Sequence, residues 1–393
     1  MAKNKLLAKL KKDKALVDLL RTEQVKPEWI STNCISVNLL LSGKIQGGIK
    51  KGSISMIAAE SSWGKSMIGY AVLKAAQAAG MDCFIIDTEN SVNYQVLEGL
   101  GIDMTEVGVF GPDNRIPQIK KALARMSDGL SKAEARNVFL LFDSWGPIVE
   151  NQVLDKAKEA SDAVNMSAAK FKNELANILL SCGFTTLVMN HVYDSMSQYD
   201  DPFKIPGGKR IIFNSDAIMC GESVKKDRDK DKNILGKIIT ASVKKGRGAK
   251  EFVKTKYLIQ HQGGINPYYG LLDEAEECGV VVRQSRPSLK FYRPDYDVDK
   301  ETGEVTKWWK ETELYCPAFW IPLYKNEVFR HYVETKFAFE DQVMITTSQD
   351  VMAMMNSDIE DCSAYSVPTM PDDGEEDNPD ADISDVSPDD DEE

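Results

Sequence analysis

The chain has 393 residues, 42% of them hydrophobic, enough for at least one full core and for two or three domains. No apolar run approaches the roughly 18 residues that span a bilayer, and the start MAKNKLLAKLKKDK lacks the apolar stretch of a secretory signal, so a cytoplasmic protein with no membrane partner is expected. The formal charge of -13 argues against a polyanion partner only until it is located: Pro371–Glu393 holds 13 acidic residues and no Lys or Arg, which leaves 48 acids against 48 bases elsewhere.

In chain order, the first 25 or so residues are Lys-rich, with Leu6, Leu10, Val17 and Leu20 near helical spacing. They read either as a projecting helical arm or as a solvated helix packed on its own domain. Pro27 and the polar stretch Ser31 to Asn33 mark a joint, so residues 1–31 form an arm with linker and a core begins near Thr32. Short apolar strands then alternate with helical stretches: strand Ile54 to Ala58, helix from Lys65, strand Cys83 to Asp87, helix Ile116 to Met126, strand Val138 to Asp143, strand Leu187 to Asn190. That alternation predicts an α/β fold, a mainly parallel twisted sheet with helices on both faces. Arg210 to Cys220, Leu235 to Val243 and Phe252 to Gln260 read as strands that extend the sheet antiparallel, and the core closes near residue 275.

Residues 276–352 are expected to form a small α+β module, in which Trp308, Trp309 and Trp320 read as core rather than as a stacking surface. Asp295, Asp297 and Asp299 mimic a calcium loop, but Lys300 replaces its turn glycine and Thr306 its last carboxylate, so a hairpin tip at Thr302-Gly303 is predicted. Residues 353–393 are too charged and too poor in aromatics to offset their ordering entropy, and disorder is expected there. Such a tail acts as a polyanion that competes for basic surface, recruits a basic partner, or serves only solubility. The seven cysteines, Cys34, Cys83, Cys182, Cys220, Cys278, Cys316 and Cys362, are scattered without a CxxC pair and are expected to be reduced thiols.

The chemistry begins at Ala59-Glu60-Ser61-Ser62-Trp63-Gly64-Lys65-Ser66, which fits the phosphate-loop pattern GxxxxGK[ST] except for Ala at the first glycine. In such a loop, backbone amides at a helix N-terminus cradle the phosphates of ATP, Lys65 adds a point charge and Ser66 offers a hydroxyl to Mg2+. If Ala59 needs a left-handed backbone, it costs about 1 kcal/mol relative to glycine. The strand Val138 to Asp143 ends in a carboxylate suited to Mg2+. Glu89, just past the strand ending at Asp87, is either a base for the attacking water or a surface cap. His191 after Asn190 is either a sensor of the γ-phosphate or a structural histidine.

Phosphate loop, strand with Glu89, strand ending Asp143-Ser144, and Asn190-His191 before a glycine-containing loop together resemble the RecA core. Leu40-Ser42-Gly43, Val243 to Arg247, Gly263 to Asp273 and Phe319 to Leu323 narrow the resemblance to the UvsX-type recombinases of large tailed phages, over about Thr32 to Tyr332. The resemblance implies a DNA-dependent ATPase that forms a filament on single-stranded DNA and catalyses homologous pairing and strand exchange with duplex DNA. It makes Glu89 the catalytic base, Asp143 the magnesium acid, and Asn190 and His191 the switch. Lys245 and Arg247 would reach the neighbouring protomer's ATP site. DNA would be gripped by loops at 151–169 and 192–210, the second presenting Tyr199, Phe203, Lys204, Gly207, Gly208, Lys209 and Arg210. The family's adenine-stacking tyrosine falls on Val96, so Tyr94 either takes that role or packs in the core. A single-strand-binding protein and a loading mediator are implied partners, in a host cytoplasm if the origin is a phage. A hexameric helicase on the same core and a non-hydrolysing DNA-binding mediator are the competing readings.

Overall fold

A computed structural model describes residues 26–111, 115–149, 163–194, 203–228, 231–285 and 288–339, with the backbone alone for 163–168, 194 and 203. The expected arm helix, the acidic tail, Tyr199, Cys362 and most of the first DNA loop lie outside them. All described residues belong to one compact unit.

A nine-stranded sheet organises this unit. Its parallel part comprises β3 (Ile54–Ala58), β4 (Asp82–Asp87), β5 (Val107–Phe110), β6 (Val138–Asp143), β7 (Thr185–Asn190) and β10 (Ser215–Arg228). The order is β10-β3-β7-β6-β4-β5, and β11 (Ile234–Gly246), β12 (Lys254–Gln260) and β13 (Gly264–Ile265) continue it antiparallel beyond β10. Two small ribbons accompany the sheet, β1 (Trp29–Ile30) with β2 (Ile49–Lys50) and β8 (Tyr193–Asp194) with β9 (Phe203–Lys204).

Side-chain alternation along the central strands divides the core between the two faces. Ile57, Phe139, Leu141, Leu187 and Met189 join α1 (Ile35–Ser42) and α2 (Lys65–Ala78) on one face. Met56, Ala58, Leu140, Phe142 and Val188 meet α4 (Ile116–Ser127), α6 (Ala163–Cys182) and α7 (Lys209–Asn214) on the other. The short α3 (Tyr94–Gly99) and α5 (Lys132–Arg136) complete this region. Because both faces are covered, the central strands read as unbroken apolar runs, and the predicted end of β6 at Asp143 coincides with the observed one.

The expected strand over 210–220 is helical for its first five residues. Gly207 and Gly208, at φ 97° and 94°, turn the chain into α7, where Ile211 is buried against α6. Ser215 Oγ, bonded to Ile211 O at 2.7 Å, and Asn214 Nδ2, bonded to Ala176 O at 2.8 Å, close that helix before β10 starts. An Ile-Ile-Phe run carries β propensity, and packing against α6 overrides it.

Between residues 276 and 339 lie the antiparallel β14 (Val282–Gln284), β15 (Lys290–Tyr292) and β16 (Trp309–Lys310), preceded by α8 (Leu272–Glu277) and followed by α9 (Pro317–Lys325) and α10 (Glu327–Phe337). Trp309 and Trp320 are buried, in one cluster with Leu39 to Leu41 of α1, whereas Trp308 is half-exposed, edge-on to Tyr292. The three-aspartate segment holds a fold together. Asp297 accepts from Arg293 Nη2 at 2.8 Å, Arg293 Nε at 2.9 Å and Trp309 Nε1 at 3.0 Å. Burial pushes its carboxyl up, but these bonds outweigh it and hold Asp297 below the usual range. Val298 and Val305 bridge across the Thr302-Gly303 tip, with Gly303 at φ 72°. Arg293→Met strands the Asp297 carboxylate in the core, so urea denaturation is expected to lose about 3 kcal/mol or more.

Candidate active site

The carboxyl ends of β3, β4, β6 and β7 lie level: Ala58 pairs with Asn190 and Asp87 with Asp143. Loops leaving these four ends therefore meet, as in open α/β sheets generally.

From β3 the chain enters the phosphate loop and then α2. The first backbone bond of that helix runs from Ile68 N to Gly64 O, which leaves the amides of Lys65, Ser66 and Met67 outside its ladder and available to an anion. Lys65 Nζ donates to Ala59 O at 2.8 Å and Glu60 O at 2.7 Å, folding the loop around its own ammonium. Burial lowers the Lys65 pKa, opposed by Asp143, Glu89 and Glu60. Ala59 does not take positive φ; Ser62 does, at 65°, along with Gly64 at 77°. The conditional cost assigned to Ala59 does not arise, and the left-handed turn falls on Ser62. Outside the loop, Lys237 Nζ on β11 donates to Ser62 O at 2.8 Å. A Cβ on Gly64 would stand 2.1 Å from Ile259 Cδ1, a terminal methyl that can swing aside, so it is the φ of 77° that calls for glycine there. Trp63 is partly buried on the same strands: a Cβ on Gly221 would lie 2.6 Å from its ring.

Ser66 Oγ donates to Asp143 Oδ2 at 3.1 Å. Two oxygen donors suit Mg2+, which takes one or two protein ligands and completes its shell with phosphate and water. Asp143 is buried, and its pKa rises to about 6; burial is the main cause, Ser66 opposes it, and the Glu89 and Asp87 charges add to it. A carboxyl whose pKa is raised on folding favours the native state most below its unfolded value, near 4, and loses that contribution as pH climbs through 6. Asp143→Asn therefore has an expected advantage in ligand-free stability that grows between about pH 4 and 6 and then levels at about 3 kcal/mol, read by thermal unfolding across pH.

Glu89 Oε1 accepts from the Ser144 hydroxyl and lies 3.0 Å from His191 Nε2. Burial pushes the Glu89 carboxyl up, but these bonds and the His191 and Lys65 charges leave it below the usual range, an ionised hydrogen-bond acceptor. Beside His191, Asn190 Nδ2 donates to Pro206 O at 2.9 Å, and Trp145 Nε1 donates to Gly207 O at 2.8 Å. The Glu89 contact and the base of the second expected DNA loop are thus one residue apart, at Asn190, which ends β7, and His191, which follows it.

Of that loop's residues, Lys204 follows Phe203 in β9, Gly207 and Gly208 form the turn, and Lys209 and Arg210 open α7 exposed. Arg210 N donates to Asn173 Oδ1 at 3.0 Å. Tyr94 opens α3 and is 51% exposed, which removes the core alternative; Val96 is 42% exposed. Lys245 and Arg247 are not brought to this site. Lys245 pairs with Ile218, itself opposite Met56 at the middle of β3, and the chain then runs to the amino end, where Gly246 pairs with Ala217, opposite Ser55, and Arg247 N donates to Asp216 O. Its Nζ donates to Ile212 O and Phe213 O, while Arg247 Nη1 meets Asp216 Oδ1 at 2.7 Å. Burial, then Arg247, lowers the Lys245 pKa.

A family model for the RecA N-terminal domain matches residues 3–266, about two thirds of the sequence. The chain belongs to the RecA family. Residues 268–333 of this RecA-family chain match a second model, the C-terminal domain of the bacteriophage T4 recombination and repair protein. The recombination and repair protein of Enterobacteria phage T4 is 26% identical over 344 residues, 84% of each chain. Protein RecA of Cutibacterium acnes is 23% identical over 273 residues, 68% of this chain and 75% of its own. A crystal structure of the RadB recombinase covers 60% of this chain and 98% of its own, at 16% identity and a TM-score of 0.43.

Several residues of this RecA-family site escaped the sequence reading. Thr88 Oγ1 donates to Ser144 O and accepts from Ser144 N, locking the ends of β4 and β6 together. The Asp87 carboxylate accepts from the amides of Glu89, Ser91 and Val92 and so shapes the turn that presents Glu89. An Asp two residues before the amide that donates to it is a recognised turn signal. Lys237 and Asp216 left no local signal, because their partners lie 175 and 31 residues away. Among the described residues no helix is long and apolar enough to cross a membrane.

Proposed function

We propose that this protein is an ATP-dependent recombinase that assembles on single-stranded DNA, pairs it with homologous duplex and hydrolyses ATP in a DNA-dependent manner. The observation that carries the reading is the contact series Glu89, His191, Asn190, Pro206: a catalytic carboxylate and the base of a basic, aromatic loop joined through adjacent residues of one strand end. In this reading the phosphate loop, with Lys65, holds the triphosphate, and Ser66 and Asp143 hold magnesium. When bound, that ion neutralises charge on the transferring phosphoryl group. Glu89 orients and deprotonates the attacking water. His191 holds Glu89 until the γ-phosphate competes for it, and a shift of His191 draws on Asn190 and so on the loop, which couples nucleotide state to DNA grip.

Lys245 and Arg247 lie at the far end of the sheet from their own phosphate loop, so they act only on the site of an adjoining protomer. Loading by a mediator and competition with a single-strand-binding protein follow from assembly on exposed single strands. The continuation of the family match through residues 268–333 favours this reading over a ring helicase.

Protomer mixing tests it. Glu89→Gln, which keeps its nucleotide and so takes its place among neighbours, and the double variant Lys245→Ala/Arg247→Ala are each expected to be inactive. A 1:1 mixture should recover about a quarter of wild-type, single-strand-stimulated turnover, because random neighbours create that share of complete sites. A mixture as inactive as its components would reject action across the interface. Wild-type turnover that ignores single-stranded DNA would reject the recombinase reading itself.

A further inference from the structure

The turn between β11 and β12 carries more than its cations. Phe252 is 76% exposed and holds φ at 67°, a region that aromatic residues rarely occupy. Two cross-strand bonds keep it there: Phe252 N donates to Val243 O at 2.9 Å, and Val243 N donates to Val253 O at 3.0 Å. Two further phenylalanines are fixed around the same turn. Phe339, 52% exposed, donates its amide to Gly248 O at 3.2 Å, and Phe213, 59% exposed, accepts from Lys245 Nζ at its carbonyl. Three outward aromatic rings around two cations form the kind of patch that isolated proteins avoid and interfaces use.

The opposite end of the sheet offers its complement. There α3 exposes Tyr94 and Val96 beside a site whose carboxylates are Glu60, Glu89 and Asp143. The basic, aromatic turn of one copy therefore matches the acidic end with its apolar rim on another, in charge and in polarity. We propose that Phe252, with Phe339 beside it, seats on the Tyr94 and Val96 rim of a second copy's nucleotide site. This rests on the reading that Lys245 and Arg247 act across an interface. The strained turn holds Phe252 out in advance, so that ring is already placed when two copies meet.

The test exploits the opposite demands of the turn and the contact. Phe252→Gly removes the ring and relieves the backbone, since glycine adopts positive φ without a steric cost. The free protein is expected to melt a few degrees higher than wild type, while the concentration for half-maximal assembly on single-stranded DNA with a non-hydrolysable ATP analogue rises at least about tenfold. Val96→Lys, on the other face, should give the same assembly defect. Unchanged assembly in Phe252→Gly overturns the proposal, and so does a lower melting temperature with weaker assembly, which would mark a purely structural residue. Normal assembly of Val96→Lys overturns the assigned seat. If wild type itself fails to assemble on DNA, the recombinase reading falls; sedimentation of the DNA-free protein at high concentration then decides, and equal self-association of Phe252→Gly and wild type overturns the contact.

Discussion

Lys65→Ala is expected to lower single-strand-stimulated ATP turnover by at least about 100-fold and to abolish ATP-dependent assembly on DNA. The ammonium has two tasks in one place. It closes the phosphate loop by donating to the carbonyls of Ala59 and Glu60, and in the proposed function it supplies the counter-charge to the phosphate. Alanine leaves both carbonyls without that donor and the phosphate without its counter-charge, and the buried setting makes the lost charge count for more than it would in water. Steady-state turnover and the binding of a fluorescent ATP analogue together check this. Turnover within about threefold of wild type would place the reacting phosphate elsewhere.

Glu89→Gln separates binding from hydrolysis. The carboxamide keeps an oxygen for the Ser144 hydroxyl and His191, so the local geometry persists, but it cannot take a proton from water. Turnover should fall by about 100-fold to 10,000-fold, while the affinity for an ATP analogue and assembly on single-stranded DNA remain, and complexes formed with ATP should dissociate more slowly. Single-turnover hydrolysis with a filter-binding or anisotropy assay reads both properties. Loss of nucleotide binding in parallel with hydrolysis would make Glu89 a structural support. Because the pKa of Glu89 is held below the ordinary glutamate range, it stays ionised as pH falls through that range, and activity lost there must come from another group.

The sheet was legible because burial on both faces writes its central strands as continuous apolar runs. A carboxylate or amide just past such a run, as with Glu89, Asp143 and Asn190, places the site with few alternatives. The phosphate loop was legible for a different reason, since its glycine, lysine and serine have fixed offsets. What stayed hidden depends on distant partners. Helix α7 looks like a strand because the glycine turn and the α6 surface that make it helical are not encoded in Ile211 to Phe213. Ser144 carried a visible hydroxyl, but its task, holding Glu89, requires β4 and β6 in register. The worry over Ala59 came from reading a glycine pattern as a backbone requirement, whereas the strained residue is Ser62.

The distance along one sheet between the phosphate loop and the Lys245 to Arg247 turn has an arithmetic consequence. If that turn completes a neighbour's site as proposed, each polypeptide brings a socket at one end and a plug at the other, so a row of n copies holds n - 1 finished catalytic units and a solitary copy holds none. Specific activity should then climb with average row length and flatten once the idle terminal socket becomes a negligible share. A capping variant that retains its socket but lacks its plug would shorten rows in proportion to its dose, which offers control over length without touching the chemistry inside.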